Sequence, residues 1–155
     1  MIRIQKEDFD LGSIVAELRQ QVAGRAGAMV TFTGHVRDFA PDQPTRSLYL
    51  EHYPGMCEAE LAGIIAEAKA RWSIQACSIV HRVGELLLGD QIVLVAVASA
   101  HRGDAFSACE YLMDALKTRA PFWKRETRAD GSRFWVQARE SDAERTQRWE
   151  TGARA

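Results

Sequence analysis

The residues best suited to chemistry crowd into one stretch of this 155-residue chain. Residues 101–139 hold eight Lys or Arg side chains (Arg102, Lys117, Arg119, Lys124, Arg125, Arg128, Arg133, Arg139) against five Asp or Glu, while the whole chain carries a formal net charge of −1. Local positive excess in a nearly neutral protein suggests an anion site, not a surface for a general polyanion. Phe122, Trp123, Phe134 and Trp135 are interleaved with these cations. Read blandly, they are solvated charges above a hairpin whose aromatics face the core. That suffices for any one cation but less well for the cluster.

Individual positions refine this. His101 and Arg102 directly precede a predicted helix, where free N–H groups and the positive dipole end favour an anion. An arginine there adds a planar fork suited to phosphate, although an ordinary strand-to-helix loop with incidental charges explains the pair equally well. Lys117 falls near the end of that helix, where the dipole alone would favour a cation. Its functional reading is a nucleophile, proton shuttle or clamp whose pKa the neighbouring Arg119, Lys124 and Arg125 lower. Lys124 follows two aromatics that could exclude water. Arg37 stands just past a predicted strand with His35 beside it. His52 and His81 read as core or surface residues, not ligands. No histidine pair has metal spacing with a carboxylate partner, so no metal is expected. Cys57, Cys77 and Cys109 lack any CxxC spacing and read as buried structural thiols.

The elements that must position these groups follow from periodicity. Leu11, Ile14, Val15, Leu18 and Val22 predict a helix over 10–22 with Asp10 as N-cap. Strands are expected at 28–34 and 47–53, separated by a loop from Arg37 to Arg46 with Pro41 and Pro44 as breakers. A helix over 56–72 carries the stripe Leu61, Ile64, Ile65, Ala68 and Trp72. Strands at 76–83 and 91–99 are joined by a turn at Gly89-Asp90, and the apolar run of the second marks it as central and covered on both faces. A third helix runs from about Gly103 to Thr118, with Phe106, Cys109, Met113 and Leu116 on one side and Pro121 ending it. A hairpin turning at Asp130-Gly131 follows. The polar tail from Glu140 reads as a short helix or a flexible end, the flexible part being 141–155. The expectation is one α+β domain over 1–155, helices against a mixed or antiparallel sheet. No run is apolar enough to span a bilayer and the first residues (MIRIQKEDFD) lack a signal-peptide core, which makes the cytoplasm the default location.

Five segments in order resemble the large-subunit family of molybdopterin synthase. They are VTFTGHVRD (Val30 to Asp38), LEHYPGM (Leu50 to Met56), HRVGELLLGD (His81 to Asp90), SAHR (Ser99 to Arg102) and LKTRAPFWKRE (Leu116 to Glu126). The resemblance implies an α/β hammerhead-type domain with an added antiparallel β subdomain. It implies an enzyme that turns cyclic pyranopterin monophosphate into molybdopterin by installing two dithiolene sulfurs, with no cofactor of its own. The sulfur donor would be the thiocarboxylated C-terminal glycine of a small ubiquitin-like subunit, and the assembly a homodimer of large subunits within a heterotetramer. Carried over by motif, Lys117 and Lys124 would be catalytic, Lys117 meeting the partner's terminal glycine. His35, Arg37, His101, Arg102, Arg125 and Glu126 would bind substrate. His35 departs from the family's common lysine, and a substrate contact made there would become pH-dependent. Two readings from other classes compete. One is a non-catalytic adaptor for a ubiquitin-like tail, against which the two lysines argue. The other is a nucleic-acid module, against which stand the net charge and the lack of an RRM or KH signature.

Overall fold

The computed structural model describes residues 1–38 and 42–151, so Pro41 and the last four residues of the tail lie outside the described residues. The chain forms, in order, β1 (Ile2–Gln5), α1 (Leu11–Val22), β2 (Ala28–His35), β3 (Thr45–Glu51), α2 (Met56–Arg71), β4 (Ile74–Arg82), β5 (Gly84–Leu87), β6 (Gln91–Ser99), α3 (Arg102–Thr118), β7 (Trp123–Arg128), β8 (Arg133–Trp135) and α4 (Glu140–Gln147). The strands make two four-stranded sheets, ordered β1-β4-β6-β2 and β5-β3-β7-β8.

The first sheet is mixed, since β1 runs parallel to β4 while the other pairs are antiparallel. Its strand β6 explains the layering. Val93, Val95 and Val97 pack on one side with Leu61, Ile64 and Ala68 of α2 and Ala108 and Leu112 of α3. Leu94, Ala96 and Ala98 pack on the other with Ile14, Leu18 and Val22 of α1. Both sets are needed because successive strand side chains point to opposite faces. The central, doubly covered strand expected from the apolar run is therefore present. Asp10 caps α1, its Oδ1 accepting from the Ser13 N–H at 2.7 Å, which offsets one of the helix's unpaired donors.

The second, wholly antiparallel sheet builds a smaller core from Val36, Leu48, Leu50 and Leu86. It is the added β layer of an α+β fold. Two elements, β1 and β5, escaped the sequence reading, and the tail takes the short-helix alternative as α4. β1 lies in the first four residues after Met1. β5 interrupts the expected simple connection between β4 and β6: Gly84, at φ 85°, turns the chain out of the first sheet so that Leu86 can pair with Leu48 in the second. The turn at Gly89-Asp90 joins β5 to β6, with the Asp90 N–H donating to the Leu87 carbonyl at 3.0 Å.

One face assignment on α3 needs correction. Phe106 was expected among its inward residues and is 63% exposed. The buried stripe is Ala105, Ala108, Cys109, Leu112, Ala115 and Leu116. Small alanines let α3 sit close to the sheet, and that close approach leaves no room beneath for a phenylalanine one position further round. The three cysteines are free and buried. Burial pushes each thiol upward, Cys109 to about 11, so none is a ready nucleophile near neutrality.

α4 is held by charge more than by apolar area. Asp114 of α3 is 4% exposed, and its carboxylate accepts from Arg145 Nε at 3.1 Å, Arg148 Nη2 at 3.0 Å and Trp149 Nε1 at 2.8 Å. The Trp149 ring closes an edge-on cluster with Trp72 and Tyr111. The tail up to Thr151 thus folds back over α3 and toward the cationic segment.

Candidate active site

The end of α3, the start of β7 and the end of β2 meet around a cleft of about 310 Å³. Its polar lining comes from His35, His81, Lys117 and Lys124, its apolar lining from residues such as Ile92, Met113 and Phe122. Gly34 lies at the β2 irregularity beside it, where a Cβ would come within 2.9 Å of a Val93 methyl. A more open hollow of about 670 Å³ runs along the end of α1. Its one ionisable lining residue is Arg19, so it lacks paired groups for acid–base work.

Lys117 is exposed in the last turn of α3. Lys124 is half-buried on β7, opposite Leu50, with its carbonyl accepting the Val136 N–H at 2.8 Å. Burial lowers the Lys124 pKa to about 8, repulsion from Lys117 and Arg139 adds to this, and Asp142 opposes it. The perturbed amine is therefore Lys124. The neighbours expected to act on Lys117 are mostly engaged elsewhere. Arg119 turns to α2, its Nη1 2.7 Å from Glu67 and its Nε 3.0 Å from Glu60. Those contacts, with the Tyr111 hydroxyl, draw Glu67 down to about 2.

Strand alternation separates the residues that follow Lys124. Arg125 lies opposite Tyr49 and Trp135, its guanidinium 4.9 Å and 5.8 Å from their ring centres. It faces away from Lys124, on the far side of the second sheet. Glu126 shares the Lys124 face, but it is 4% exposed and accepts the Thr45 hydroxyl at 2.7 Å. Neither lines the cleft.

Of the remaining expected residues, His35 lines the cleft, exposed, with Nε2 3.2 Å from the Thr33 hydroxyl. Arg37 lies two residues beyond, exposed and outside the lining; Val36 fixes that turn by bonding Asp90 and Gly89. His101, the extended N-cap of α3, and Arg102 are exposed at the opposite end of the helix. Fifteen helical steps separate Arg102 from Lys117, about 22 Å at ~1.5 Å each. The cleft therefore gathers Lys117, Lys124 and His35, with Arg37 at the same end, and does not gather His101 or Arg102 of its own chain.

Sequence reasoning missed His81 and the tail's approach. His81 lies in β4, 6% exposed, with its ring stacked on Phe122 at 3.9 Å and 9°. Arg139 and Asp142 reach the electrostatic surroundings of Lys124 from the start of α4. One sequence signal could have pointed to the tail: a lone Trp149 among charges, with arginines three apart at 145 and 148. Among the described residues no cluster of His, Cys, Asp and Glu is placed to hold a metal ion.

Comparison with known proteins then bears on this arrangement. The family model described as "MoaE protein" matches residues 4–119. The molybdopterin synthase catalytic subunit of Vibrio cholerae serotype O1 is 50% identical over 149 residues, covering 96% of this chain and 97% of that protein. A structure of the molybdopterin biosynthesis MoaE protein from Burkholderia ambifaria superimposes with a TM-score of 0.82 at 52% identity, covering 97% of each chain. A Helicobacter pylori chain, solved as a protein–protein complex of subunits 1 and 2 of molybdopterin-converting factor, shares the fold with a TM-score of 0.73 at 20% identity, over 89% of this chain and 91% of that one.

Proposed function

The chain belongs to the MoaE protein family, and on that premise we propose that it is the catalytic subunit of a molybdopterin synthase whose sulfur-transfer site is the Lys117–Lys124 cleft. The observation that carries this reading is the pairing itself. One exposed ammonium stands beside a half-buried amine with a pKa of about 8. The substrates are cyclic pyranopterin monophosphate and the thiocarboxylated C-terminus of a small ubiquitin-like subunit.

Both are anions, and two lysines are suited to receive them. Lys117, exposed and fully able to swing, meets the carrier's terminal thiocarboxylate. Lys124 has a useful neutral fraction near neutral pH, so it can take up and return a proton while sulfur is installed. Phe122 and Ile92 keep part of the cleft dry, which strengthens charge interactions within it. Arg37 and Arg102 hold the substrate phosphate through their planar forks. His35 and His101 flank them.

The ~22 Å between Arg102 and Lys117 is too far for one small pterin to touch both on a single chain. A two-fold dimer of this chain answers that by setting the α3 start of one copy beside the α3 end of the other. Two such chains with one small subunit each give a heterotetramer. Arg125 and Glu126 act indirectly, by fixing β7 between its neighbours. The cytoplasm is the proposed location; among the described residues no helix is long and apolar enough to cross a membrane.

The test is incubation with thiocarboxylated small subunit and cyclic pyranopterin monophosphate, with detection of the dithiolene product. Product formation is expected. No product, with a small subunit that supports turnover by the Vibrio cholerae relative, would leave only an adaptor.

A further inference from the structure

One buried polar group of the cleft is used by none of these roles. The Nδ1 of His81 lies 2.8 Å from the carbonyl oxygen of Arg82. A carbonyl only accepts, so Nδ1 carries a proton. Burial holds the ring's pKa down to about 4; the bond to Arg82 opposes this, and the charges of Lys124, His52 and Lys117 reinforce it. Near neutral pH the ring therefore has one proton, on Nδ1, and Nε2 is a lone-pair acceptor.

That acceptor has no hydrogen-bond donor among the described residues. The ring is 6% exposed, clamped face to face by Phe122, and still forms part of the cleft wall. Among the described residues the fully buried side-chain atoms without a partner are Arg125 Nε and Arg128 Nε; the His81 Nε2 is instead open at the cleft wall, where a bound molecule can supply the donor it lacks. The rest of the wall does not compete with it. The Lys117 and charged Lys124 amines only donate. His35 is exposed, with its Nε2 already beside the Thr33 hydroxyl. The other lining side chains are apolar, with the Met113 thioether at most a weak acceptor.

A pterin bears ring N–H and amino donors as well as its anionic group. Lysines alone would suit its charge and leave those donors unmatched. We infer that His81 is a substrate-binding residue whose Nε2 accepts a hydrogen bond from an N–H or O–H donor of the pterin bound in the cleft, with Phe122 setting the tilt of the ring. This rests on the reading of the cleft as the pterin site. It adds a neutral acceptor to a cleft whose ammonium groups only donate, and so a means of selecting a heterocycle over a simple phosphate ester.

The test uses the whole protein and cyclic pyranopterin monophosphate without thiocarboxylate, so that binding occurs without turnover. In the free protein the nitrogen resonances of His81 should report the Nδ1–H form and stay constant from pH 6 to pH 8 (about two and more above its pKa). Substrate should move the Nε2 resonance toward the hydrogen-bonded position and leave Nδ1 in place. Two substitutions divide the functions of the ring. His81→Asn keeps a donor for the Arg82 carbonyl but no acceptor reaching the cleft, and should weaken binding about five- to tenfold. His81→Gln can place its amide oxygen where Nε2 was and should bind within about twofold of wild type. An Nε2 resonance that stays still while substrate binds overturns the inference, as does a folded His81→Asn protein that binds normally. If the variants do not fold, the wild-type resonance decides. Wild-type protein that does not bind cyclic pyranopterin monophosphate would instead strike the pterin reading, and this inference with it.

Discussion

Replacing Lys124 by methionine should make the protein more stable while abolishing sulfur transfer. The Lys124 pKa is about 8, against 10.5 for an ordinary lysine. That difference, about 2.5 pH units at ~1.36 kcal/mol each, sets a ceiling of ~3.4 kcal/mol on the cost of keeping the ammonium in place. Some of it is repulsion from Lys117 and Arg139 at a partly open cleft, where water screens charge, so ~1–2 kcal/mol is the expected gain. Methionine keeps an unbranched chain of similar length to fill the space. The pH dependence has a fixed sign. Below pH 8 both folded and unfolded chains hold the proton and the penalty is fully present. Between about 8 and 10.5 the unfolded chain holds a proton that the folded one has lost, so wild-type stability rises with pH. Urea unfolding of both proteins should therefore show Lys124→Met more stable at pH 7, with the gap closing by pH 10. A methionine variant less stable at pH 7, or a gap unchanged at pH 10, would refute the claim that Lys124 is held against its charge.

Three further outcomes are expected. Lys117→Ala should lose sulfur transfer, keep its stability within about 0.5 kcal/mol because the side chain is exposed, and let the Lys124 pKa rise, which nitrogen NMR of the amine would follow; near-normal turnover would remove Lys117 from the reaction. Arg37→Lys and Arg102→Lys should each weaken substrate binding about tenfold, because the charge stays but the fork is lost, and calorimetric titration showing unchanged affinity in both would take phosphate recognition away from them. Asp114→Ala should cost ~2–3 kcal/mol in urea unfolding, since Arg145, Arg148 and the Trp149 N–H lose a carboxylate that is almost wholly buried; a loss under ~0.5 kcal/mol would mean that the aromatic cluster alone docks α4.

How much of this was legible in the sequence depended on whether the signal was local. The apolar run of β6, the Asp10 cap and the Asp130-Gly131 hairpin are local, and the structure has all three. β1 is four residues long and is defined by its parallel register with β4, some 77 positions away. β5 looks like the flank of a turn until Leu86 is seen opposite Leu48. α4 has no buried residue of its own and is tied down by ion pairs to Asp114, which no periodicity reveals. At the site, Lys117 and Lys124 lie close in sequence and the helix-to-strand corner at Pro121 brings them together. Arg125 and Glu126 share their motif but not their surroundings, because alternation along β7 sends one across the sheet and burial seals the other. His81 enters through the register of β4 and the stack with Phe122, both long-range facts.

The central claim is that one site is built from Lys117 and Lys124 of one chain and Arg102 of another. Mixing Arg102→Ala protein with Lys117→Ala protein, under conditions where subunits exchange, tests it most directly. A mixed dimer would then hold one site with both defects and one with neither, so sulfur transfer should return to about half the wild-type rate per mixed dimer, as two-fold symmetry requires. If exchange is complete and the mixture is as inactive as its parents, the site is not shared in this way.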